Sequence, residues 1–599
     1  MRRYGIWLTA LCLLVSTCGC FRSETQSGIP NGDTAKAEEL VDDDFVDPLY
    51  GWDAYDSLIA KAKVETDRAK RVEMLHDAED MLMATGCVVP LYYYNDIYMA
   101  KPYVSGVYTN RFGYKFFHRT TLQNGSKTLR INLASEPDAL DPALNSAVDG
   151  ACLAVASFAG LYTYNEQGQT VPDLAVGYTQ KEGEDGSVTY TVTLKEGLKW
   201  SDGSDLTAGD FVYAWKRAAS TATGADYSYA FNGFKGYPNQ LAVEAPDATT
   251  LTFTLTAPCV YLEGLLAFPT YFPVKQAAVE SNPQWEQSPG GWCTEAGFVT
   301  NGPYVCTGWK HDVSMTYEKN PYYHDADRVT IDRLELMLSA DDTAVYAAYN
   351  AGNLDVIDTV PTDEIASLLK QNSAELKTVD TLGTYYVAFN ANSELFRGKT
   401  PQQAACMRLA LSLVMDRNAI CETVGQTGQV PASSYVPLGM ADGNGGLFKE
   451  DREDNSYYDV DGLEEDYEET LEEARTYLKA AGYTFAQDGK LSSDTPLTIE
   501  YLTNDGTGHL AAAQIIQQDL AALGIRLTIR QMEWNTFLDE RKKGNFDMAR
   551  QGWLADFDDP IDMLEMFTTE SGNNDCQFGR PTDGTTQQPQ TPGRSNPVI

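Results

Sequence analysis

The chain has 599 residues, about four times the ~150-residue prior for one domain, which is enough for several lobes with sizeable cores. Apolar residues at 43%, aromatics at 11% and charged residues at 22% exclude a disordered or collagen-like chain and a small disulfide scaffold. Lys plus Arg number 45 against 85 Asp plus Glu, a formal charge of −40 without a basic run, so a nucleic-acid partner is excluded: such binding needs clustered cations to release counterions from phosphate.

The chain order begins with Arg2 and Arg3 before an apolar run from Tyr4 to Val15, too short to span a bilayer but suited to the core of a secretory signal. It ends in Ser16-Thr17-Cys18-Gly19-Cys20, which resembles a bacterial lipobox, with Cys20 after Gly19 as the residue to be acylated. Thr17 departs from the usual branched apolar residue and Cys18 competes, so a plain cleaved signal stays open. Residues 21–48, with Gly28, Pro30, Gly32 and Asp42-Asp43-Asp44, read as a flexible acidic tether. No later segment is long and apolar enough to span a membrane.

Between Asp67 and Met83, Val72, Leu75, Ala78 and Leu82 are spaced by three and four behind a capping Asp, which predicts an amphipathic helix. Leu129, Ile131 and Leu133 alternate as in a strand, as do Val188, Tyr190, Val192 and Leu194, and again Leu251, Phe253 and Leu255. Leu497 to Leu502 reads as a strand, His509 to Leu523 as a helix stopped by Gly524, and Ile525 to Ile529 as a second strand, together a βαβ crossover with a parallel pair. Residues 577–599, rich in Gly, Pro, Gln and Thr, predict a disordered tail. Beyond the signal lie Cys87, Cys152, Cys259, Cys293, Cys306, Cys406, Cys421 and Cys576; export permits disulfides but leaves their pairing open. Cys406 and Cys421 are expected on one helical stretch, roughly 22 Å apart and unable to bond each other.

The catalytic inventory is empty. There is no GxxxxGK, GxGxxG, GxSxG or HExxH, and His76, His118, His311, His324 and His509 lack metal spacing, so no catalytic residue, metal or cofactor is expected. Residues 457–468 have the acidic rhythm of a calcium loop, but Tyr457 at the first ligand place lacks a suitable donor, which favours an acidic surface loop.

Residues 190–217, YTVTLKEGLKWSDGSDLTAGDFVYAWKR, form a strand, a turn at Asp202-Gly203 and a helix capped by Thr207 with Asp210 three places on. This string resembles the signature of bacterial peptide-type (family 5) extracytoplasmic solute-binding proteins, partners of oligopeptide ABC importers. Further matches are EPDALDP at 136–142, NGPY at 301–304, YYVAFN at 385–390 and GWLADFDDP at 552–560, so the resemblance covers Thr128 to Asp575. One thing departs from the family: segments resembling its C-terminal end stand near the start, at 55–63, 78–83, 90–94 and 101–108. The order reads as a circular permutation joined through 120–127, with a scrambled gene fragment as the rival account.

The resemblance implies a two-lobed α/β fold of the periplasmic-binding-protein type, with three subdomains and a ligand cleft between lobes. Residues 128–175 and 296–380 would form the first lobe, 176–295 an inserted subdomain and 381–576 the opposing lobe, with 49–119 matching the family C-terminus and supplying part of the opposing lobe (49–99) and the end of the first. It further implies a monomeric binding protein rather than an enzyme, with an oligopeptide ligand, ABC permease subunits as partners, a separate ATPase and a lipid anchor at the membrane. By resemblance Asp556 would receive the peptide's free α-amine and Trp553 would line the pocket, while Tyr386, Asn390 and, more weakly, Glu136 would contact ligand. An oligosaccharide ligand and a surface lipoprotein hydrolase remain the alternatives.

Overall fold

The computed structural model describes residues 36–133, 135–450 and 456–582. Its main element is an 11-stranded mixed sheet. Along it lie Tyr304–Lys310, Ser314–Lys319, Arg333–Met337, Thr128–Asn132, Val356–Ile357, Val88–Ala100, Leu376–Phe389, Met548–Leu554, Thr498–Asn504 and Arg526–Met532, with Val430–Pro431 pairing on Val88–Ala100. The two long central strands join the halves. Val88–Ala100 meets Val356–Ile357 at its Met99 and Ala100 end and Leu376–Phe389 over most of its length. The latter pairs through Gly383 to Phe389 with Met548–Leu554. A separate four-stranded antiparallel sheet contains Val188–Leu194, whose Val188, Tyr190, Val192 and Leu194 are all buried, as their alternation predicts.

Local chemistry explains the elements. Asp67 accepts a hydrogen bond from the Lys70 amide at the start of Arg68–Ala84, and Thr207 with Asp210 forms a reciprocal capping box on Ala208–Ala219. Thr498–Asn504 and Arg526–Met532 pair in parallel across the helix Thr507–Ala522, which ends before Gly524 at φ +79°.

Three expectations need correction. Cys406 and Cys421 do not share a helix: Pro401–Leu413 ends, and Asp416 caps a new turn, Arg417–Ile420. Arg417 donates to the Ser412 and Met415 carbonyls released at that break. The eight cysteines named above are free thiols. The expected tether is ordered from residue 36, with Ala37 of Ala37–Leu40 buried. The expected tail begins packed, since Phe578 is fully buried and stacks on Trp52 at 4.2 Å between ring centroids. The signal, Cys20 and residues 583–599 lie outside the described residues. The 457–468 stretch docks on the protein, with Tyr457 donating to Asp80 at 2.5 Å.

Candidate functional site

The strand Met548–Leu554 delivers Trp553 opposite Thr384, then turns; the Ala555 amide still donates to the Leu382 carbonyl at 2.7 Å. Gly383 permits this approach, because a Cβ there would meet the Trp553 carbonyl at 2.5 Å. Asp559 then caps the short helix Pro560–Glu565 by accepting from the Ile561 amide, with Pro560 at its first position.

This reversal folds Asp562 back onto the strand's end. One Asp562 oxygen accepts the Asp556 amide at 2.9 Å and the Trp553 indole N–H at 3.2 Å. Asp556 is itself buried, and its carboxyl lies within electrostatic reach of Tyr227 and Asp562. Tyr227 sits 6.0 Å from the Trp553 ring centroid and packs edge-on to Phe268. Tyr114, also buried, feels the charges of both acids, and its hydroxyl has no hydrogen-bond partner. Tyr164, next in the same field, borders a cavity of about 230 Å³ edged by Tyr108, His118, Asp173 and His324.

Burial pushes the Asp556 carboxyl well above its ordinary range, and burial with the Asp556 charge does the same to Asp562. Among the described residues neither has a Lys, Arg or His within ion-pair distance. The other two acids of the turn do: Asp559 is held bidentately by Arg71 at 3.0 and 2.7 Å, and Glu565 pairs with Lys63. The end of this strand thus gathers tyrosine hydroxyls, an indole and two carboxyls that no protein cation neutralises, a set of groups suited to a cation.

Of the residues singled out in the sequence, Trp553 and Asp556 come together here. Tyr386 lies two places along the same face of the neighbouring strand, buried edge-on against Tyr435 at 5.2 Å. Asn390 braces a turn, donating to the Gly544 carbonyl at 2.7 Å and accepting the Asn392 amide at 2.9 Å. Glu136 binds His311 at 2.6 Å and the Asp312 amide at 2.9 Å. None of these partners of Asn390 or Glu136 is among the groups around Asp556. The sequence reading missed Asp562, Tyr227 and Tyr114, for which no motif exists. It also missed Arg550, a buried guanidinium that donates to Asn504 at 2.7 Å and lies over the rings of Trp534, Phe537 and Tyr385.

Comparison with known proteins decides the family. Residues 169–575 match the bacterial extracellular solute-binding proteins, family 5 Middle. The chain belongs to this family. This family 5 protein is 32% identical to the oligopeptide-binding protein OppA of Bacillus subtilis over 477 residues, covering 76% of this chain and 80% of that one. Its fold is similar to that of the Escherichia coli murein tripeptide binding protein MppA, with a TM-score of 0.66 and 28% identity over 76% of this chain and 84% of the other. It is also similar to Haemophilus influenzae OppA in complex with RPPGFSPFR, with a TM-score of 0.63 and 26% identity over 76% and 85%. The two-lobed α/β architecture is therefore that of a family 5 binding protein, and the chain is a binding protein rather than an enzyme.

Proposed function

We propose that this protein captures oligopeptides with a free N-terminus between its lobes and delivers them to the permease of an ABC importer. The observation that carries the reading is the buried Asp556 carboxyl, set among hydroxyls and an indole without a cation of its own. An enclosed ammonium needs a paired charge to offset its lost hydration, and a charge-assisted hydrogen bond contributes roughly 1.5–3 kcal/mol. The relatives' names and the peptide in the Haemophilus complex support the same ligand class. Trp553 lines this end of the site, Tyr386 supports its wall, and Asn390 and Glu136 are further candidate contacts. Calorimetry with matched free and N-acetylated peptides tests the reading: free peptides bind and acetylated ones bind poorly. Equal binding of the two removes Asp556 as the anchor and with it the peptide assignment's best residue-level support.

The reading includes a monomer held at the membrane by a lipid on Cys20, which mass spectrometry of the mature N-terminus tests. It also includes the rotated chain order as a functional permutation. The contacts that support rotation join the two sequence ends: the Gly579 amide donates to the Pro48 carbonyl at 2.8 Å, Trp52 stacks on Phe578, and its indole N–H donates to the Phe567 carbonyl at 2.9 Å. In this reading residues 49–119 complete the opposing lobe of 381–576 and the end of the first lobe of 128–175 and 296–380, beside the inserted 176–295. A reverted chain, 128–575 followed by 49–119, is the control. If the natural order is a molten globule while the reverted one binds peptide, the permutation is not a functional arrangement.

A further inference from the structure

Asp556, Asp559, Asp562 and Glu565 stand within ten residues of chain, and all four are buried. Arg71 and Lys63, from the helices Arg68–Ala84 and Asp53–Val64, each cancel one charge. Four acids less two cations leave two acids with nothing opposite them. The other facing groups bring no positive charge: Tyr227 and Tyr229 from beside Ser228–Phe231, and Tyr114 and Tyr164 from the first-lobe side. Asp558 next door is half-exposed and has its own partner in Arg111. Two carboxylates buried side by side without a cation repel each other and are costly to desolvate, so the pair is most stable when it holds a proton.

We propose that Asp562 is the second half of the ammonium anchor: it shares a proton with Asp556 and releases it to solvent when a ligand's α-ammonium binds. The geometry supports this division of labour. One Asp562 oxygen is held by the Asp556 amide and the Trp553 indole, which fixes this carboxyl beside Asp556. Asp562 is thus a positioning residue that also sets the proton content of the site, while Asp556 contacts the amine. The unpartnered Tyr114 hydroxyl supplies a further group for the incoming ammonium. Capture of free-amine peptides is then coupled to pH, because removing the shared proton is easier as pH rises, until the amine itself loses its charge near about pH 8.

This inference rests on the peptide reading, and the test separates the two. A free-amine peptide and its N-acetylated twin are titrated into the wild-type protein by calorimetry at about pH 6 and about pH 7.5, each in two buffers of different ionisation enthalpy. Proton release on binding the free peptide, and an affinity that rises by up to about tenfold per pH unit for each proton released, are expected. Asp562→Asn, whose carboxamide mimics the protonated acid, is expected to bind the free peptide with less proton release and a flatter pH dependence while still rejecting the acetylated one. Free-peptide binding without proton release in the wild type, or identical release in Asp562→Asn, overturns the role of Asp562 and leaves the peptide reading standing. If neither peptide binds, or both bind alike, the peptide reading itself fails and this inference falls with it. The wild-type measurement stands alone if the variant does not fold.

Discussion

One short stretch of chain carries two kinds of buried acid. Asp559 and Glu565 are completed by cations: Arg71 grips the first and Lys63 the second, reaching across 488 and 502 positions in sequence. Among the described residues Asp556 and Asp562 have no cation: Asp562 accepts the Asp556 amide and the Trp553 indole, and Tyr227 is the nearest hydroxyl to act on Asp556. Burial pushes all four carboxyls upward, but only for Asp559 and Glu565 does a protein cation pull against it. The difference separates acids that hold the fold from acids kept for a ligand. It also shows that the segment 49–119 serves as more than an appendage, because it supplies the countercharges for the helix that follows the site.

The largest effect is expected where the pair is complete. Arg71→Met strands Asp559 in the interior and is expected to cost about 3–5 kcal/mol of stability, read from the urea midpoint, with Lys63→Met costing somewhat less. An unchanged midpoint in both variants breaks the comparison. Asp556→Asn should do the reverse: stability holds or rises, since an uncompensated buried acid is gone, while affinity for a free-amine peptide falls about ten- to a hundredfold. A matching loss of stability and affinity would make Asp556 another structural acid.

The next effect is one of pH on the ligand-free protein. Burial pushes the Asp556 carboxyl up from its ordinary 3.8 to about 8, so between these values the folded protein holds a proton that the unfolded chain has lost. Its contribution to stability is therefore complete below about pH 4 and is lost as pH rises through about 8. Asp149, raised to about 6, and Asp358 and Asp519, each raised to about 7, act in the same direction. The urea midpoint should accordingly fall from pH 5 to pH 8, and Asp556→Asn should flatten only part of the slope. A midpoint that rises over this range would show that paired carboxylates dominate instead.

Much of the scaffold was legible because it follows simple periods. Alternation gave the strand Val188–Leu194, three-four spacing behind Asp67 gave the helix Arg68–Ala84, and Gly524 marked the end of Thr507–Ala522. The break after Leu413 was hidden because Val414 and Met415 continue an apolar helical pattern; the buried Arg417 braces the break by donating to the Ser412 and Met415 carbonyls and the Ser412 hydroxyl, contacts that no pattern reveals. Phe578 was lost in a Gly- and Gln-rich context, since its stacking partner Trp52 lies at the other end of the chain. At the site, Trp553 and Asp556 were visible through a motif, whereas Asp562 lies just past that motif, in the first turn of a short helix. Its meaning depends on a reversal through Pro560 that brings it back to the strand, and that is a fact of three dimensions.

The smallest effect sharpens the comparison by its neighbour. Asp558 lies between the two kinds of acid in sequence, yet its side chain is 39% exposed and meets Arg111, 44% exposed, at 3.5 Å. It also accepts the Ala441 amide at 2.8 Å. An exposed pair at that distance is screened by water and salt and gains little over separate hydration, so it neither anchors the fold nor attracts a ligand charge strongly. Asp558→Ala should leave peptide affinity within about threefold of wild type, a difference below about 0.7 kcal/mol, and should shift the urea midpoint only slightly. The same calorimetric titration used for Asp556 reads the first, and added salt should erase what remains of it. If Asp558→Ala weakens the free peptide as strongly as Asp556→Asn does, then burial is not what selects the anchor, and the charge that meets the amine belongs to the whole acidic turn rather than to the enclosed pair.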